Sequence, residues 1–218
     1  MTLNLDPETA AYSVHQTSSV QHVAGWDENN QGFSIGYRAT DSDGDMADGL
    51  LTVLVNDDTP MVGSNLIVQL DDDALTGGLA DGTGDVAPDQ QNVSGVLSHS
   101  SGADGGSLSW LTTGSPAGFN YEVNAGQLQI FQGEVNVITL EMDASSGAYT
   151  VVQNAPVTHD LGGQENNQSF TVGYQVMDGD GDAVAGELVI TVNDDTPVVW
   201  NASGVSYANI QNPSPGGS

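Results

Sequence analysis

The sequence repeats itself at a fixed offset of 137 residues. Thr2-Leu3 falls on Thr139-Leu140, and residues 2–62 align with 139–199 without a gap, with about half of the positions identical. Asp6 falls on Asp143, Tyr12 on Tyr149, His22 on His159, and Phe33 and Tyr37 on Phe170 and Tyr174. A chain with this property is read as the second half of one repeat (1–62), one whole repeat (63–199), and a tail (200–218). The tail is Gly-, Pro-, Ser- and Asn-rich, and is expected to be frayed or to open the next segment.

One recurring stretch organises each copy. Asp178-Gly179-Asp180-Gly181-Asp182 is followed by an apolar run to Val192, then by Asn193-Asp194-Asp195-Thr196-Pro197. The earlier copy reads Asp41-Ser42-Asp43-Gly44-Asp45, Met46 to Val55, then Asn56-Asp57-Asp58-Thr59-Pro60. Leu188, Ile190 and Val192 alternate with Glu187, Val189 and Thr191, the period of a half-buried strand. Eight strand residues span roughly 26 Å at ~3.3 Å each. The two acidic clusters therefore stand at opposite ends of a domain and cannot share one ion.

Charge limits the partners. There are 29 Asp and Glu against a single basic residue, Arg38, a net charge of −28. Nucleic acid and anionic membrane both require positive charge and are excluded as partners. No stretch is long and apolar enough to insert in a membrane. With 38% hydrophobic residues in periodic order, disorder fits poorly. A fold that needs cations to hold its carboxylates together fits better. There is no Cys to staple it, and no N-terminal signal peptide is visible.

Short alternating segments predict strands at Asn65 to Leu70, Val93 to His99, Ser107 to Leu111, Phe119 to Val123 and Gln127 to Phe131. Others are predicted at Val135 to Met142, Ala148 to Gln153, Ser169 to Met177 and Glu187 to Val192. Asn124-Ala125-Gly126 and Ser145-Ser146-Gly147 read as hairpin turns. The pattern predicts an all-β chain, an antiparallel Ig-like or cadherin-like β-sandwich in tandem repeats. The first copy would lack the strands that 63–138 supply to the second, leaving a free edge and an exposed apolar face.

The acidic clusters suit calcium, which takes six to eight oxygen ligands from carboxylates, Asn and carbonyls. The EF-hand pattern fails: Met46 and Thr52, or Ala183 and Val189, stand where its Gly and Glu belong. The calcium nonapeptide Gly-Gly-x-Gly-x-Asp is also absent. If the repeats run end to end, Asp178, Asp180 and Asp182 begin the last strand beside Asn56, Asp57 and Asp58. Asp71 and Asp73 end the first strand beside Asn193, Asp194 and Asp195. This predicts one site bridging the two copies and another at the exit end, with Asp41, Asp43 and Asp45 as the matching set of the first copy. The plain alternative is polar turns at strand ends, since Asp and Gly favour turns.

Other residues carry less. His15, His22, His99 and His159 show no metal-ligand spacing, and His22 and His159 are expected to make structural hydrogen bonds. Trp26, Trp110 and Trp200 fit a core or a joint better than a ligand groove. Glu28 and Glu165 are calcium ligands or loop caps, with no preference between them. Phe33, Tyr37, Phe170 and Tyr174 read as core. No nucleophile-elbow, zinc-helix or phosphate-loop motif occurs, so no enzyme is predicted.

The chain resembles the repeats of giant RTX adhesins that Gram-negative bacteria export by type I secretion. The resemblance rests on Leu70-Asp71-Asp72-Asp73-Ala74-Leu75, Gly102-Ala103-Asp104-Gly105-Gly106-Ser107 and Gly147-Ala148-Tyr149-Thr150. It rests also on Glu165-Asn166 and on the two acidic clusters. It implies tandem β-sandwich extender domains that bind calcium and stiffen outside the cell, at the bacterial surface. They pack on neighbouring repeats and project modules for adhesion and biofilm formation. The truncated first repeat departs from that pattern. A second reading makes the segment itself a calcium-dependent binder of a host or microbial surface peptide or glycan.

Overall fold

The computed structural model describes residues 1–25, 28–79, 84–162, 166–197 and Gly204. Trp26, Glu165, Trp200 and the rest of the tail apart from Gly204 lie outside them. The described residues are all-β, with one 3-10 turn at Asp72–Ala74. The strands are β1 (Thr2–Leu5), β2 (Tyr12–His15), β3 (Asn30–Thr40), β4 (Met46–Asn56) and β5 (Met61–Val62). Next come β6 (Val68–Asp71), β7 (Ser94–Val96), β8 (His99–Ser100), β9 (Gly106–Trp110) and β10 (Phe119–Asn124). The last are β11 (Gln127–Gln132), β12 (Val135–Met142), β13 (Ala148–Gln153), β14 (Gln168–Asp178) and β15 (Ala183–Asn193).

Two larger sheets carry the second copy. One has the order β10-β11-β12-β13-β7 and the other β6-β15-β14-β9. The alternation seen in the sequence decides what each buries. Phe170, Val172, Tyr174 and Val176 on β14, with Leu188, Ile190 and Val192 on β15, are all fully buried. They share one core with Leu128, Ile130, Ile138 and Leu140 of the other sheet. Phe119 meets Phe170 edge to face across the two sheets, with ring centroids 4.8 Å apart. Trp110 and Tyr149 are buried in the same core.

Turn chemistry sets the hairpins. Ala125 and Gly126, both at positive φ, close β10–β11. Asp143 accepts from the N–H groups of Ser145 and Ser146 at 3.0 and 2.8 Å and turns β12 into β13. One pairing departs from an antiparallel expectation: β6 runs parallel to β15, with Asp71 opposite Asn193. Both strands run from the entry end to the exit end, so adjacency makes them parallel.

The first copy forms two separate hairpins, β1–β2 and β3–β4. Their registers match those of β12–β13 and β14–β15 when shifted by the repeat offset: Gln31 faces Val55 as Gln168 faces Val192, and Thr2 faces His15 as Thr139 faces Val152. Tyr37 lies across from Gly49 and packs on it, as Tyr174 does on Gly186. Among the described residues the β3–β4 sheet has no third strand. Its inward positions are only half-buried, save Val55, and Leu50 and Leu54 are each 66% exposed.

Candidate metal centres

The β14–β15 turn begins with Asp178, whose Oδ1 accepts from Gly181 N at 3.0 Å and Asp182 N at 2.7 Å. Gly181 takes φ +103°, which a side chain resists. This winding gathers carboxylate oxygens of Asp178, Asp180 and Asp182 within 4.8 Å of one another, and all three residues are buried. Burial and the nearby Asp180 push the Asp178 carboxyl up from its ordinary value.

The linker after β4 enters this cluster. Asp57 is buried, and its carboxylate groups with Asp180 and His22 within 4.8 Å. His22 Nδ1 stands 3.0 Å from Asp57 Oδ1, and its Nε2 lies 3.3 Å from Val55 O. The neighbouring Asp58 Oδ2 accepts from Ala103 N at 2.9 Å, against Gly102, where a Cβ would meet the carboxylate. Asp104 lies against Gly179 of the β14–β15 turn. The joint thus draws on four segments: the loop between β2 and β3, the linker, the loop before β9 and the β14–β15 turn.

Several oxygens there have no hydrogen-bond donor although they are buried: Asp57 Oδ2, Asp104 Oδ1, Asp178 Oδ2 and both oxygens of Asp180. Buried carboxylate oxygens without donors are costly unless a cation supplies the charge. Arg38, the only Lys or Arg in the chain, is taken by Asp48 at 2.6 Å and is exposed. Clustered hard oxygens of this kind could hold a divalent ion. Asn56 Nδ2 donates to Glu28 and to Asp57 O, which makes Glu28 a loop partner.

At the exit end the structure divides what the sequence grouped together. Asp71 and Asp73 gather with Asp85. Asp72 turns the other way, accepting from Gln153 and from Val157 N at 3.1 Å, and faces His159 Nε2 at 3.4 Å. Asp194 lies 3.9 Å from the same nitrogen. Burial disfavours a charged His159, but Asp72 and Asp194 outweigh it and raise its pKa. Gln153 and the Val157 N–H thus satisfy Asp72, whereas His159 Nε2 is buried without a hydrogen bond, and Asp72, His159 and Asp194 each offer a ligand atom within 4.8 Å of the others. Asn193 is buried at the strand end, and Asp195 joins no cluster among the described residues. Burial first, then Asp73, Asp85 and Asp89, push Asp71 up to about 7.

Asp41, Asp43 and Asp45 group only with each other and are exposed. Asp85, Asp104 and the histidines beside the acids were missed as site residues. Asp85 and Asp104 sit next to Gly in Gly- and Asp-rich loops, the composition that marked the other clusters. His22 and His159 recur at the repeat offset.

No protein-family model matches the chain, and no curated protein and no solved structure matches it either.

Proposed function

We propose that the chain is an extender segment of a bacterial cell-surface adhesin, built of tandem Ig-like β-sandwich repeats stiffened by calcium at their joints. The observation that carries this reading is the joint itself. Asp57 and Asp58 from the end of the first copy meet Asp104 and Asp180 of the second, with buried oxygens that lack donors. An ion there would bond both copies at once and resist bending between them. The resemblance to RTX adhesin repeats adds the surface location and secretion through a one-step channel. Extracellular calcium modules bind at roughly 10⁻⁴ to 10⁻³ M, so the chain would stay loose inside a cell and set outside it.

The reading assigns no catalysis. Its partners are neighbouring repeats and, through other modules, a surface peptide or glycan. Trp110 is buried in the core and offers no platform to a ligand, which favours extension over direct binding.

The test is a thermal melt with calcium, with magnesium and with a chelator. A ligand at a hundred times its Kd adds ~2.7 kcal/mol per independent site. At roughly 2–4 °C per kcal/mol for a chain of this size, two or more sites raise Tm by ten degrees or more. A rise with calcium but not magnesium supports the reading. An unchanged Tm sinks it.

A further inference from the structure

The loop between the 3-10 turn and β7 returns to the strand it left. Gln69 and Gln91 exchange backbone hydrogen bonds, each at 3.0 Å. The Gln69 side chain donates to Val86 O at 3.1 Å and to Pro88 O at 2.8 Å. Asn92 Nδ2 donates to Ile67 O at 2.8 Å. These bonds hold the returning limb along β6 and set Asp85, one residue before Val86, over the strand end. There Asp71, Asp73 and Asp85 each offer a carboxylate oxygen, all within 4.8 Å of one another.

Asp71 has no exposed surface. Its Oδ1 accepts from Asp73 N at 3.2 Å, and its Oδ2 is buried without a hydrogen-bond donor. The triplet Asp71-Asp72-Asp73 thus splits its work. Asp72 serves the core side through Gln153, Val157 and His159, while Asp71 and Asp73 face the loop. The chain's one Arg or Lys side chain is engaged elsewhere.

We propose that Asp71, Asp73 and Asp85 form a hard divalent-cation site inside the second copy, which fastens residues 84–91 to the end of β6. The proposal rests on the calcium reading above but differs in what the ion joins. The joint ion ties one copy to the next; this ion ties a loop to its own strand. All-oxygen donors of full negative charge select a calcium-class ion over soft metals. The segment 63–138 has no counterpart in the first copy, so the described residues hold one such site.

The test uses the full chain, calcium titration calorimetry and backbone hydrogen exchange, with D85N and D180N as variants. D85N is expected to bind one calcium fewer than the parent. It should also raise exchange at residues 84–91 by on the order of tenfold in calcium. D180N is expected to lose the joint ion while residues 84–91 stay protected. D73N repeats the D85N test from the strand side, should D85N fail to fold. The proposal is overturned if D85N and D73N bind as many ions as the parent, or if calcium leaves exchange at 84–91 unchanged. A parent chain that binds no calcium overturns both readings. A chain that loses all its calcium with D180N alone overturns only this one.

Discussion

The hairpins β3–β4 and β14–β15 have the same register and the same Asp-x-Asp-Gly-Asp turn, yet they live in different surroundings. In each turn the first Asp accepts backbone N–H bonds on Oδ1, and the Gly lies at positive φ. The local fold is therefore one fold, written twice. Tyr174 is 0% exposed and its counterpart Tyr37 is 50% exposed. β14 and β15 are flanked by β9 and β6, whereas β3 and β4, among the described residues, pair only with each other. The charges follow the packing. A hydrogen bond with Asp43, aided by the Asp45 N–H, holds exposed Asp41 below its ordinary pKa, while burial pushes Asp178 above it. One motif is a solvated turn in the first copy and a buried carboxylate cluster in the second.

The largest contrast should come from the core. Phe170→Ala removes a fully buried ring and is expected to cost about 3–5 kcal/mol. Phe33→Ala, at the equivalent half-buried position, is expected to cost about 1 kcal/mol. Denaturant melts of the two variants decide this. Equal costs would mean that the β3–β4 face is covered in solution.

A contrast of intermediate size concerns the ions. Asp180→Asn is expected to remove most of the calcium-induced rise in Tm contributed by the joint, about 2.7 kcal/mol at saturating calcium. Asp43→Asn, at the matching exposed position, is expected to leave that rise intact. Paired melts with and without calcium measure both. A loss at Asp43 as large as at Asp180 would place a working site on the exposed turn.

The smallest contrast lies in the turns of β1–β2 and β12–β13. Asp6 accepts from Glu8 N and Thr9 N; Asp143 accepts from the N–H and hydroxyl groups of both Ser145 and Ser146. These bonds lower both carboxyls, Asp143 well below its ordinary value of 3.8. A lowered folded pKa adds stability above the unfolded value, and that stability is lost as pH falls through the folded one. Asp143→Asn is therefore expected to lower Tm slightly at neutral pH and to converge with the parent in strong acid. Asp6→Asn should do less. A carboxyl NMR titration that finds Asp143 at 3.8 would break the argument.

Much of this was legible in the chain. Period-two runs marked nearly every strand, because a half-buried strand must alternate. Asn-Ala-Gly and Ser-Ser-Gly marked turns, because few residues tolerate those conformations. Strand direction, on the supposition that repeats run end to end, put Asp57 near Asp180 and Asp71 near Asn193, and the structure has both pairs close. The boundaries slipped where tertiary pairing extended a strand: β15 begins at Ala183, four residues before the alternation becomes visible.

The sequence by itself determined the hairpins, their register, the acidic turns and which end of the strand each occupies. These depend on side-chain period and local backbone bonding, which travel with the residues wherever the copy sits. Only the tertiary structure decided that Asp178, Asp180 and Asp182 are buried while Asp41, Asp43 and Asp45 are not. It alone sent Asp72 to the core beside His159, and brought Asp85 and Asp104 to clusters far from them in the chain. Desolvation and the approach of distant carboxylates arise from packing across long sequence separations, and no local pattern carries them.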